Sequence, residues 1–245
     1  MYIFVLALIF SCSSENANDC FQTSGSIVQQ EVTIDAFEKI LVNRDIELII
    51  KEGAEYKVII ETGKNLLNDI KVLVIDNELQ LTDNNTCNYV RDFGITKIYV
   101  TAPNITVIRS STQYEISSQG TLNFSNLNLV SEDFNASSSF TVGDFRLEIN
   151  STQLRIISNN LSFFYISGQT ENLFIGFFAG SGRFEGANLI AQNVDVFHRG
   201  SNDMVVNPQQ SLTGELRSSG DLIAINQPPI VDVEQFYIGQ LIFED

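Results

Sequence analysis

From residue 105 onward, short apolar pairs return at a near-constant interval: Ile105/Val107, Leu127/Leu129, Leu147/Ile149, Leu173/Ile175, Val194/Val196, Leu212/Leu216 and Val231/Val233. Counted from the first member of each, the steps are 22, 20, 26, 21, 18 and 19 residues. A period near 20 that carries two or three short strands is the signature of a β-solenoid. One pass cannot bury its own apolar row, but passes stacked at roughly 4.8 Å line those rows into one core. The expected interior row is Leu127, Leu147, Leu173, Val194 and Leu212. A second strand-like element lies between the pairs and is entered through small residues: Ser137–Val142, Gly180–Phe184, Gly200–Val206 and Ser218–Ile225. Asn, Ser and Gly suit the corners, where tight turns are needed.

The chain before this array is also strand-like. Glu31–Ile34, Phe37–Val42, Ile46–Ile50, Tyr56–Ile60, Lys71–Ile75, Leu79–Leu81 and Ile95–Val100 are β-branched or apolar runs between Gly, Asn and Asp breakers. Asp76-Asn77 reads as a turn, and only Asn65 to Asp69 reads as a helical turn. All six lysines lie at or before Lys97. This shift divides the chain near Pro103 into an N-terminal β region, residues 25–103, and solenoid coils, residues 104–245.

The first residues are of another kind. Ile3 to Phe10 is an eight-residue apolar run, too short to span a bilayer and of the length of a secretory signal core. Ile9-Phe10-Ser11-Cys12 resembles a bacterial lipobox, with Phe10 bulkier than usual. Residues 1–11 are therefore read as a signal peptide, Cys12 as the lipidated residue, and residues 12–24 as anchor and tether. If Cys12 carries lipid, Cys20 and Cys87 remain, and in an oxidising compartment such a pair is expected to form a disulfide. A single histidine, His198, and the lack of a C-x-x-C leave the usual tetrahedral zinc sets unbuildable. No metal or other cofactor is expected.

The chain has 30 acidic and 14 basic side chains, a net charge of −16. That argues against nucleic acid or anionic lipid as a charge-driven partner. Asp19-Cys20-Phe21, the Glu61–Lys64 corner followed by Leu66 to Ile75, and Asn85–Arg91 preceding Lys97–Pro103, together with the lipobox and the Gly/Ser/Asn coils, resemble the bacterial head-GIN-domain family, described as auto-transporter adhesins. The resemblance implies an all-β, right-handed parallel β-helix-like solenoid with a strand-rich N-terminal portion. It also implies an exported lipoprotein of the bacterial cell envelope, expected at the outer membrane.

A β-helix can also be a polysaccharide lyase or glycoside hydrolase. Hydrolysis needs two carboxylates at a set separation, and Glu132-Asp133, Glu185 and Asp195 are the candidates. In so acidic a chain such neighbours arise by chance, the coil region has no lysine, and His198 has no partnered Ser or Cys motif. The non-enzymatic reading is preferred, with a carbohydrate-active enzyme as the alternative. One feature suggests binding. Leu161-Ser-Phe-Phe-Tyr-Ile166 and Phe174-Ile-Gly-Phe-Phe178 fall in neighbouring coils. Adjacent strand residues face opposite sides, so at least one of Phe163 and Phe164, and one of Phe177 and Phe178, must face out. Phe163, Phe164, Tyr165, Phe177 and Phe178 are the candidate aromatics for a glycan or protein ligand, and the function expected is a membrane-tethered binding or adhesion module.

Overall fold

The computed structural model describes residues 19–85, 87–134 and 140–244. The expected signal and Cys12 lie outside the described residues, as do residues 137–139 of the expected strand 137–142. Strand alternation appears directly as burial. In Glu78–Asp83, half-buried Glu78, Gln80 and Thr82 alternate with buried Leu79, Leu81 and Asp83. Helix among the described residues is limited to two three-residue 3-10 turns, Asp19–Phe21 and Leu67–Asp69.

Seventeen strands join one continuous sheet. The first seven are β1 (Ile27–Val32), β2 (Lys39–Asn43), β3 (Glu47–Glu52), β4 (Lys57–Gly63), β5 (Ile70–Ile75), β6 (Glu78–Asp83) and β7 (Lys97–Ala102). Six of them fall on the expected runs, while β1 lies earlier than expected and shares only Glu31 and Val32 with the run Glu31–Ile34. Asp76 and Asn77 both have positive φ, 50° and 64°, as the tight β5–β6 hairpin requires. There follow β8 (Val107–Ser111), β9 (Ile116–Leu122), β10 (Asn126–Ser131), β11 (Phe145–Ser158), β12 (Phe163–Phe177), β13 (Arg183–His198), β14 (Met204–Leu216), β15 (Leu222–Ala224), β16 (Ile230–Gln235) and β17 (Leu241–Phe243). Strands β11 to β14 are long because each turns a corner and serves both layers of the folded-over sheet.

Layer one runs β5, β6, β2, β8, β10, β11, β12, β13, β14, β16, and layer two runs β1, β4, β7, β3, β9, β11, β12, β13, β14, β15, β17. From β6 and β7 onward every pairing in both layers is parallel. The N-terminal end is instead closed by the antiparallel partners β5, β4 and β1. Strands β2 and β3 sit between β6–β7 and β8–β9, so the sheet crosses residue 103 without a break.

Each layer contributes rows to one core. Layer one aligns Leu79, Ile40, Ile108, Leu129, Ile156, Ile175 and Val196. Layer two aligns Ile60, Ile98, Leu48, Ile116, Phe145, Phe164, Phe184, Met204 and Leu222. All of these are buried in a single cluster.

The expected row needs one correction. Leu127 aligns with Leu154, which then leads to Leu173, Val194 and Leu212. Leu147 lies in layer two, opposite Ile166. Residues 132–144 are an insertion between β10 and β11, so a fixed step of 20 from Leu127 lands in the opposite layer. For the same reason Phe140–Val142 is not strand, and the layer-two strand begins at Phe145.

Polar corners hold the passes in register. Asn150 Nδ2 donates to Asn123 Oδ1 at 2.8 Å, and Gln169 Nε2 donates to Asn150 Oδ1 at 3.0 Å. Beside them Asn193 Nδ2 donates to Asn172 Oδ1 at 3.2 Å, and Ser211 Oγ donates to Asn193 Oδ1 at 2.9 Å. At the start of the fold, Cys20 and Cys87 form a disulfide across 67 residues of sequence.

Candidate functional site

The five aromatics singled out from the sequence divide as strand alternation demands, but not into one surface. Phe164 and Phe177 are fully buried. Phe164 stacks on Phe145 with centroids 4.8 Å apart and meets Phe177 at 5.8 Å. Both are core residues and offer nothing to a ligand, because their positions share the inward parity of the interior rows. Phe163, Tyr165 and Phe178 are half-exposed. Phe163 and Tyr165 lie on the outside of layer two, whereas Phe178 follows the layer-one half of β12.

On layer two, the Arg146 guanidinium lies 4.3 Å from the Tyr165 ring centroid, and Phe163 meets Tyr165 edge-on at 6.4 Å. Glu185, on the next pass, is tied to Arg183. Arg146, Tyr165 and Glu185, with Ser118, Glu148 and Asn188, line a shallow concavity of about 380 Å³.

Layer one carries a larger aromatic surface. Gly176 faces outward, where an added Cβ would lie 2.8 Å from Phe178 and 2.9 Å from Phe174. The missing side chain is thus what lets both rings lie flat on the sheet. Phe197, aligned with Gly176 on the next pass, stacks on Phe178 at 5.1 Å, and Phe134 meets Phe178 at 6.3 Å. Arg155 lies 4.4 Å from the Phe174 ring, and Arg217 lies 5.8 Å from Phe197 and 4.2 Å from Phe236. The half-buried column Leu41, Val130 and Ile157 extends the strip across the layer, interrupted by Arg109. Phe174, Phe134, Phe197 and Phe236 are not among the aromatics to which the sequence points. Their signal was outward parity in successive passes, which becomes visible only once the register is known.

The carboxylate candidates do not converge. Glu132 is buried and paired with Arg109 at 2.6 Å, while its other oxygen accepts the Phe134 N–H at 2.7 Å. Asp133 accepts from Asn159 Nδ2 at 2.6 Å. Glu185 is on layer two, and Asp195 is on layer one beside Thr213. Among the described residues no group of three or more His, Cys, Asp or Glu is placed to hold a metal.

His198 is fully buried, accepting the Gly200 N–H on Nδ1 at 3.3 Å and meeting Phe177 edge-on at 6.0 Å. Burial holds its imidazole below the ordinary 6.5, against opposing pulls from the Asn202 backbone and the Asp203 and Asp221 carboxylates. Asp83 is the reverse case. Burial raises its carboxyl above 3.8, although Asn85 and Thr96 donate to it. Both are packing devices in polar corners, not a catalytic set.

No match is found among curated proteins. Solved structures do share the fold. One described as a putative adhesin from Bacteroides fragilis has a TM-score of 0.80 at 19% identity, covering 91% of this chain and 99% of its own. A putative adhesin from Parabacteroides distasonis has a TM-score of 0.65 at 11% identity, covering 91% and 99%. A putative lipid binding protein from the same organism has a TM-score of 0.62 at 12% identity, covering 90% and 98%. The family description "Putative auto-transporter adhesin, head GIN domain" matches residues 36–228. Matched over most of its length, the chain belongs to the head GIN domain family.

Proposed function

We propose that this protein is a non-enzymatic adhesion module of the bacterial cell envelope, tethered at the outer membrane through lipid on Cys12, whose parallel passes wind as a right-handed β-helix-like solenoid. The observation that carries the binding role is the layer-one strip of Phe174, Phe178 and Phe197 with Arg155 and Arg217 stacked on its rings. Aromatic residues and Arg are the types enriched in protein interfaces, and rings already fixed on a sheet lose little freedom on binding. The strip fits a protein partner. The layer-two groove at Tyr165 is smaller in aromatic surface and is filled on one side by Arg146, which makes a glycan the second choice. The adhesin descriptions of the family and of the neighbouring structures support a binding role.

The tether is decided by mass spectrometry of the N-terminal peptide from membranes. Lipidated Cys12 after cleavage behind Ser11 is expected, and an unmodified Cys12 contradicts it. The ligand class is decided by presenting the protein to arrays of extracellular proteins and of glycans in parallel. Saturable binding to a protein supports the reading, and binding confined to glycans overturns it.

A further inference from the structure

A second exposed apolar surface sits at the other end of the stack. Phe21 is 54% exposed, Tyr89 74% and Phe93 78%, with Val90 beside them. They come from two segments far apart in sequence that are pinned together. The Cys20–Cys87 disulfide joins the segments, and the Tyr89 N–H donates to the Cys20 carbonyl at 2.9 Å. Arg91 donates to the carbonyls of Gln22, Asn85 and Cys87, so its charge is turned into the fold. Asn88 caps the turn by accepting the N–H groups of Val90 and Arg91. Phe21 and Tyr89 touch at 5.7 Å. A loop held by so many ties displays its rings rigidly.

We propose that this tip contacts the headgroup region of the bilayer to which the chain is anchored. The inference rests on the reading of Cys12 as the anchor point. Cys12 lies eight residues before Cys20, and eight residues span at most about 29 Å when fully extended. An anchored chain therefore holds Cys20, and with it the adjoining Phe21, close to that reach of the membrane. Aromatic rings favour the membrane–water interface, so the tip would add a second, orienting contact beside the lipid anchor. The distal corner carrying Phe236 and Tyr237 is eight strand steps from β7 in layer two, roughly 38 Å at strand spacing. The adhesion strip would then point away from the membrane.

The natural chain has no tryptophan and three cysteines, two of them in the disulfide, which leaves Cys12 as the free thiol. The chain from Cys12 onward, carrying Phe93→Trp, is coupled through Cys12 to a maleimide-headgroup lipid in phosphatidylcholine vesicles. Tyr89→Trp serves as a second reporter and Tyr237→Trp as the distal control. The expected result is blue-shifted emission, quenched by dibrominated phosphatidylcholine, at positions 93 and 89 but not at 237. Equal, water-like emission at all three positions overturns the proposal. So does a blue shift at 93 before vesicles are added, which would mean that another protein copy covers the tip. Because the anchor is supplied chemically, absence of lipid on Cys12 in cells would defeat the tether reading without altering this readout.

Discussion

His198 shows how one buried group couples the fold to pH. The neutral ring accepts from Gly200, and Gly220 packs so closely that an added Cβ would sit 2.4 Å from Nε2. The folded pKa is lowered from 6.5, so below pH 6.5 the unfolded chain binds a proton that the folded chain refuses. This stability is fully present above the unfolded value and is lost as pH falls towards the folded one, with a slope of up to about 1.4 kcal/mol per pH unit. Chemical denaturation of wild type and His198→Gln between pH 7 and 5 should show the extra slope only in the wild type. Gly168 makes a steric demand of a different kind. Its φ is +106°, and a Cβ there would lie 2.0 Å from the Ile149 carbonyl oxygen. Gly168→Ala should lower the unfolding free energy by at least about 1–3 kcal/mol, the usual cost of a strained backbone conformation.

At the scale of strands, the interior rows carry the stability. Leu173 is buried between Leu154 and Val194. Leu173→Asp places an unpaired charge there and should abolish cooperative unfolding, whereas Asn188→Asp at an exposed position should change the midpoint little. Circular dichroism melts of the two variants check this. The strands and their inward parity were legible because period-2 alternation is local. Most of the N-terminal runs follow from it, as does the outward turn of one ring in each of the pairs Phe163/Phe164 and Phe177/Phe178, though not which ring. What was not legible depends on lengths and distant partners. Leu154 replaced Leu147 in its row because the long 132–144 connection stretches that step to 27 residues, against 19 and 21 for the next two. The insertion of β2 and β3 between later strands leaves no mark in a repeat count. The aromatic strip crosses strands, so it could be found only with the register in hand.

Across the whole molecule, the two ends differ. The N-terminal end is closed by antiparallel strands and stapled by the disulfide. Cys87→Ala should cost about 2–5 kcal/mol in a non-reducing melt. At the other end, residues 236–243 form little strand. Only Leu241–Phe243 is strand, it pairs with β15 as one more half-pass, and Phe236, Tyr237 and Ile238 remain exposed. Exposed Asp232 and Glu234 on β16 place charge along that open edge, a common guard against edge-to-edge pairing. The proposed division puts anchoring at one end and partner contact on the layer-one face beyond it. That division is tested most directly by the dissociation constant for a protein ligand found by array, measured for wild type, Phe178→Ser with Phe197→Ser, and Tyr165→Ser. The account predicts at least a tenfold loss in the double variant, about 1.4 kcal/mol, and less than about a twofold change for Tyr165→Ser, or roughly 0.4 kcal/mol on the same scale. An unchanged constant in the double variant, with the loss appearing at Tyr165→Ser instead, would contradict it.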